Sequence, residues 1–239
     1  MKRFIVLTTG RSGSTSLIKA LEAYQDVIVP NKQIRCFDNE LLNPSVVKEH
    51  VSIYQKLASK RIENDVDLSR VFFESVRTGN YVGYKSNPST HSDIPRLISE
   101  LDVQFINLYR LDVPATIASY LVAKKFNTWR RSGEKQQIIV NYSDRLNPDI
   151  LHFVNAISLN HHKMSKVRGA IELHYEDLCN PDHENPRLNN FFGRQIKISE
   201  PKPPIHVSEY VRNWEEFSEF INSSYRERRN GYRQGLDRS

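Results

Sequence analysis

The sequence predicts an α/β protein in three layers, a mostly parallel sheet covered by helices on both faces. Three observations carry this. Short apolar runs alternate with helical patterns along most of the chain. The clearest runs, Phe4-Ile-Val-Leu7 and Val103 to Tyr109, read as buried strands. The first of them leads through a turn rich in Gly, Ser and Thr straight into a helical pattern, the joint expected between a strand and its crossover helix. No internal repeat, heptad array or low-complexity tract competes with this reading.

The elements follow in order. After the first strand, Leu17, Ile18, Ala20 and Leu21 line one face of a helix. Asp26 to Pro30 reads as a short second strand, and a polar segment, Asn31 to Glu40, leaves it where α/β folds present ligand-binding loops. A helix is expected from about Pro44 to Ser59, a loop over Lys60 to Asp67 and a further helical segment near Arg70 to Val76. Asn80 to Ser86 reads as a strand with Lys85 at its end, and Asn87-Pro-Ser-Thr90 is a turn signal. A helix over Asp93 to Leu101 precedes the strand Val103 to Tyr109. Arg110 follows at once, and Pro114 suits the first turn of a helix running to about Phe126. Trp129 to Asn147 is polar and mixed, as a lid would be. A long helix is expected over Asp149 to Arg168, a strand over Ala170 to His174, a turn opened by Tyr175 to Leu178, and a helix over Asn185 to Phe192. Ser208 to Ile221 reads as a Trp-anchored helix. The predicted organisation is one domain over 1–225 and a flexible basic tail over 226–239, where five Arg stand against two acids.

Composition sets limits on function. The chain has 239 residues, enough for one α/β core, with 38% hydrophobic and 26% charged residues. The formal net charge of +6 favours an anionic partner without choosing among nucleotide, glycan and nucleic acid. No DNA- or RNA-binding motif supports the last of these, so nucleic acid is disfavoured. Cys36 and Cys179 make no disulfide framework and read as thiols in a reducing compartment. The N-terminal apolar run is too short for a signal peptide, and no run reaches the length of a membrane span. The expectation is a cytoplasmic protein.

The chemistry is concentrated in Leu7-Thr-Thr-Gly-Arg-Ser-Gly-Ser-Thr15 and the helix behind it. Strand, small-residue turn and helix aim backbone N–H groups at an anion. Gly10 and Gly13 let the backbone approach closely, Ser12, Ser14 and Thr15 add hydroxyls, and Arg11 adds a forked permanent charge. These residue types fit a capped strand–helix joint or a phosphate or sulfate cradle. The nucleotide-hydrolase pattern G-x-x-x-x-G-K-[ST] is absent, which disfavours an ATPase, a GTPase or a kinase-like phosphotransferase.

Several segments together resemble the family of sulfotransferases that use 3′-phosphoadenosine 5′-phosphosulfate (PAPS), closest in motif to its glycan, tyrosylprotein and soluble bacterial-type branches. Thr9-Gly-Arg-Ser-Gly-Ser-Thr15 is similar to that family's 5′-phosphosulfate loop, and Leu21 to Val27 is similar to the tyrosylprotein branch. Phe105 to Tyr109, then Arg110, then Ser119 resembles its 3′-phosphate element. Gly83-Tyr-Lys-Ser86 resembles a Lys-Ser segment of heparan-type members. His174-Tyr-Glu-Asp-Leu178, Pro181 and Asn190-Phe-Phe-Gly193 resemble its Tyr-Glu-Asp-Leu signature. The resemblance covers roughly Lys2 to Gly193 and implies a P-loop-like sulfotransferase fold.

It also implies roles. PAPS would be the co-substrate, with no metal required. Gly10, Arg11, Ser12, Gly13, Ser14 and Thr15 would hold the 5′ side, and Arg110 and Ser119 the 3′-phosphate. Sulfuryl transfer resembles phosphoryl transfer, so Arg11 would neutralise charge on the leaving bridging oxygen, with Lys85 assisting. The step from Arg110 to Ser119 is nine residues where the family has eight, and Leu111-Asp112 replaces the usual Asn-Pro. The acceptor hydroxyl needs a base. Gln33 stands where related branches carry Glu, and Gln does not take a proton at neutral pH. Asp38, Glu40 and His91 remain as candidates. His161-His162 reads as surface rather than ligand. The expected function is transfer from PAPS to a hydroxyl acceptor of the carbohydrate or glycolipid class; a non-catalytic nucleotide-binding module or a kinase-like phosphotransferase is the alternative.

Overall fold

The structure is a computed structural model; it describes residues 1–29, 42, 47–59, 61–91, 93–126, 148–180, 182–198 and 211–236. Its strands are β1 (Lys2–Thr8), β2 (Val27–Ile28), β3 (Tyr81–Ser86), β4 (Val103–Tyr109) and β5 (Ile171–His174). Its α-helices are α1 (Ser14–Glu22), α2 (Val47–Ala58), α3 (Asp65–Ser75), α4 (Ile94–Leu101), α5 (Val113–Phe126), α6 (Pro148–Ser165), α7 (Tyr175–Leu178), α8 (Pro186–Phe192) and α9 (Trp214–Leu236), with a 3₁₀ turn at Pro88–Thr90.

The strands form one parallel sheet in the order β2-β3-β1-β4-β5. β1 is central: Val6 lies beside Lys85 of β3 and Ile106 of β4. Alternate side chains of β1 feed two cores, because successive residues of a strand face opposite ways. Phe4 and Val6 pack with Leu17, Ile18 and Leu21 of α1 and Leu188 and Phe192 of α8. Ile5 and Leu7 pack with Val66, Phe72 and Phe73 of α3, Leu97 of α4 and Met164 of α6. Gly83 permits a close fit here, since a Cβ on it would sit 2.4 Å from the Phe4 carbonyl oxygen and 2.5 Å from its ring. A third cluster joins Val113 and Ile117 of α5, Val154 of α6, and Phe217 and Ile221 of α9.

The strand order reverses at β1. The chain leaves β1 towards β2, past β3, but leaves β3 in the other direction, past β1 to β4. Right-handed crossovers then place α1 on one face and α3 and α4 on the other, and open a crevice between the carboxyl ends of β1 and β3. The joint after β1 and Lys85 at the end of β3 both belong to that crevice.

Three expectations are corrected. α3 begins at Asp65, inside the stretch read as a loop. Asn64 caps it by accepting from the Asp67 N–H at 2.9 Å, and its charges, Asp65 and Asp67, are first-turn acids at a helix N-terminus. The tail is corrected too: α9 runs unbroken through the boundary at 225 to Leu236. Tyr225 meets His161 at 2.7 Å and Tyr232 stacks on His162 at 5.5 Å, so aromatic residues one helical face apart tie this end to α6. The arginines masked that pattern. His161 itself is buried rather than on the surface, and burial, followed by the charge of Arg229, pushes its pKa down to about 4. Among the described residues no helix is long and apolar enough to cross a membrane.

Candidate functional site

The joint after β1 is braced from inside. The Thr8 and Ser12 hydroxyls are hydrogen-bonded to each other and both contact the Thr9 carbonyl, at 3.0 and 2.7 Å. Ser12 is fully buried, so its hydroxyl shapes the loop rather than facing a ligand. Arg11 and Gly13 take positive φ, 67° and 81°. Such left-handed positions in a turn let successive N–H groups converge on an anion. α1 then starts from Gly13 with no side-chain cap and no acid in its first turn. By contrast, α3, α4 and α8 are capped by Asn64, Asp93 and Asn185.

The joint after β4 is built differently. The Glu176 carboxylate accepts from the Leu111 and Asp112 N–H groups at 3.1 and 3.2 Å, and Asp112 accepts from the Ala115 N–H at 2.9 Å. Carboxylates of the protein itself therefore occupy the α5 N-terminus. An anion in this region would meet side chains, not a helix end.

Those side chains are the ones singled out from the sequence. The Arg11 guanidinium donates through Nε to the Ser119 hydroxyl at 3.1 Å, joining the first loop to α5. Arg110, buried to 7% exposure, donates to the Arg11 carbonyl at 3.0 Å, and its guanidinium carbon lies 4.7 Å from the Tyr175 ring centre. Its Nε is buried without a hydrogen-bond partner, as is the Thr9 hydroxyl oxygen. Lys85 is buried, not a solvated strand end, and its ammonium reaches the Thr15 hydroxyl at 3.4 Å. Gly10 is exposed at the turn, Thr15 is exposed and Ser14 is buried.

His91 is placed elsewhere. Its ring is enclosed beside Tyr84, on the face that packs α3, with Nδ1 3.3 Å from Asp65 Oδ2. Its Nε2 has no hydrogen-bond partner. The structure does not bring it to the Lys85–Thr15 contact. Asp38, Glu40 and Gln33, the lid segment 129–147 and Pro181 lie outside the described residues. No group of three or more His, Cys, Asp or Glu is placed to hold a metal ion among the described residues.

Sequence reasoning assigned no role to Tyr175 and Glu176, quoting them only as part of a signature. Yet they hold the site together. A Cβ on Gly13 would sit 2.5 and 2.9 Å from the Tyr175 ring, so the ring lies directly on the first loop. Their signal was positional: an aromatic and an acid directly after β5, at the carboxyl edge that carries the other joints. A separate cavity of about 470 Å³ lies at the opposite edge of the sheet, beside Lys2, Arg3 and Gln104. Those side chains bond backbone carbonyls of Phe191, Leu101, Phe105 and Gly169, which leaves the cavity little to recognise with.

Fold and site together define an α/β protein with a cationic cluster at the carboxyl edge of a parallel sheet. Compared with known proteins, the chain matches no family model and no curated protein.

Proposed function

We propose that the chain is a sulfotransferase that moves a sulfuryl group from PAPS to a hydroxyl acceptor of the carbohydrate or glycolipid class. The observation that carries this reading is the convergence of Arg11, Lys85, Arg110 and Ser119, from four separate segments, on the joint after β1. Three features fit a nucleotide bearing two anionic groups. α1 offers an uncapped N-terminus. Arg110 keeps a buried, unpartnered N–H, and the Thr9 hydroxyl beside the loop is likewise unpartnered. The loop N–H groups, Arg11, Ser14 and Thr15 would hold the 5′ side; Arg110 and Ser119 would hold the 3′-phosphate.

PAPS, when bound, supplies the sulfuryl group and leaves as adenosine 3′,5′-bisphosphate. Arg11 neutralises charge on the leaving side. Lys85, held against Thr15 in a water-poor setting, acts on the same charge at higher effective strength than it would in solvent. Asp38 or Glu40 supplies the base.

A non-catalytic nucleotide-binding module is favoured by one feature, Gln33 where the resemblance expects a carboxylate. Incubation with radiolabelled PAPS and a panel of sugar and glycolipid acceptors separates the two. Transfer by the native chain that is lost in Arg11→Ala supports the enzyme; tight binding of PAPS with no transfer to any acceptor and no hydrolysis supports the module.

A further inference from the structure

We infer that Tyr175 is a positioning residue that registers the Arg110 guanidinium against the loop after β1, and so sets how strongly the site selects a nucleotide with a second phosphate. The inference rests on the PAPS reading and adds to it the origin of that selectivity.

Arg110 is held on three sides. Its backbone sits at the end of β4, one N–H is spent on the Arg11 carbonyl, and its guanidinium carbon lies over the Tyr175 ring, 4.7 Å from the ring centre. A guanidinium over an aromatic face is attracted by the ring's negative quadrupole, and more so when both are desolvated. Arg110 is buried and Tyr175 half-buried, so the contact is partly desolvated. The contact holds the guanidinium in place and with it the buried Nε–H that has no protein partner.

Tyr175 is itself fixed from both sides. Its ring rests on Gly13, the only residue type that leaves room there. The next residue, Glu176, is pinned by the Leu111 and Asp112 N–H groups. The corner between β5 and α7 thus ties the 5′ loop and the Arg110 arm to one ring. The α5 N-terminus is filled by carboxylates, so recognition of a second phosphate falls on Arg110 and Ser119, and on whatever aims them.

The test is calorimetric titration of the full chain with adenosine 3′,5′-bisphosphate and adenosine 5′-phosphate, read as the ratio of the two affinities. Tyr175→Phe keeps the ring and should hold the ratio within about twofold of the native protein. Tyr175→Leu should lower the ratio about three- to thirty-fold, the range cation–π contacts cover from exposed to desolvated sites. Pentafluorophenylalanine at position 175 keeps the ring's shape while removing the negative face, so it tests the idea even if the Leu variant does not fold; it should lower the ratio likewise. If Tyr175 only supports the loop, both nucleotides weaken together and the ratio stays put in every variant, which overturns the inference alone. A native protein with no preference for the 3′-phosphate overturns the PAPS reading, and this inference with it.

Discussion

Gly13→Ala is the sharpest perturbation the structure offers. Gly13 sits at φ 81°, and a Cβ there would lie 2.5 Å from one Tyr175 ring carbon and 2.9 Å from another. Two costs add. A left-handed conformation costs an L-residue about 1–2 kcal/mol. The ring must also move, and it cannot do so without loosening its face contact with Arg110, worth about 0.5–2 kcal/mol. The expected destabilisation is about 2–4 kcal/mol. Urea unfolding followed by circular dichroism should show the midpoint falling with the slope unchanged. Gly10→Ala is the matched control. A Cβ at Gly10 meets nothing within 4 Å, so its stability should stay within about 0.5 kcal/mol of the native value. On the PAPS reading its nucleotide affinity should nevertheless fall, because the methyl would stand where the loop approaches a phosphate. Equal stability of the two variants would refute the reasoning about Tyr175 and the loop.

Other expectations are simpler to state. Glu176→Ala should cost about 1–2 kcal/mol in urea unfolding by stripping an acceptor from the Leu111 and Asp112 N–H groups that lead into α5, whereas Glu176→Gln keeps an acceptor and should retain most of that stability; equal losses would contradict the capping role. Lys85→Met should lower transfer at least about a hundredfold without lowering thermal stability, since burying a charge is costly and Met fills the same space; undiminished transfer would remove Lys85 from the site. His161, which faces Tyr225, Tyr109 and the Arg229 charge, is neutral when folded with its pKa down at about 4. The unfolded chain takes up that proton near pH 6.5, so the stability this residue confers is complete above pH 6.5 and is lost, by about 3 kcal/mol, as the pH falls towards 4. His161→Gln should flatten that part of the stability profile; an unchanged profile would place the acid sensitivity elsewhere.

Much of the sheet was legible because parallel strands leave a plain mark. Val103–Tyr109 was bounded correctly by its apolar run and the polar joints beside it, and Pro114 marked the start of α5. The loop after β1 was legible because Gly is favoured where the backbone turns left-handed, as at Gly13, although Arg11 takes the same conformation without that signal. α3 was misjudged because first-turn acids look like a charged loop when the cap at Asn64 is not recognised. The end of α9 was misjudged because five arginines outweigh Tyr225 and Tyr232 in composition, although those two tyrosines carry the packing. Arg110 and Ser119 were singled out without the corner that surrounds them. Glu176, which fills the α5 N-terminus, comes from sixty-odd residues later in the chain and so left no local trace.

The central claim is that these segments form one site for a nucleotide with both a 5′ and a 3′ anion. The most direct measurement is calorimetric titration of the native chain with adenosine 3′,5′-bisphosphate, adenosine 5′-phosphate and ATP, repeated in Arg110→Ala. The account predicts that the bisphosphate binds tightest and that Arg110→Ala lowers its affinity about ten- to a hundredfold while leaving adenosine 5′-phosphate nearly unchanged. Tighter binding of ATP, or no difference between the nucleotides with and without the 3′-phosphate, would contradict it.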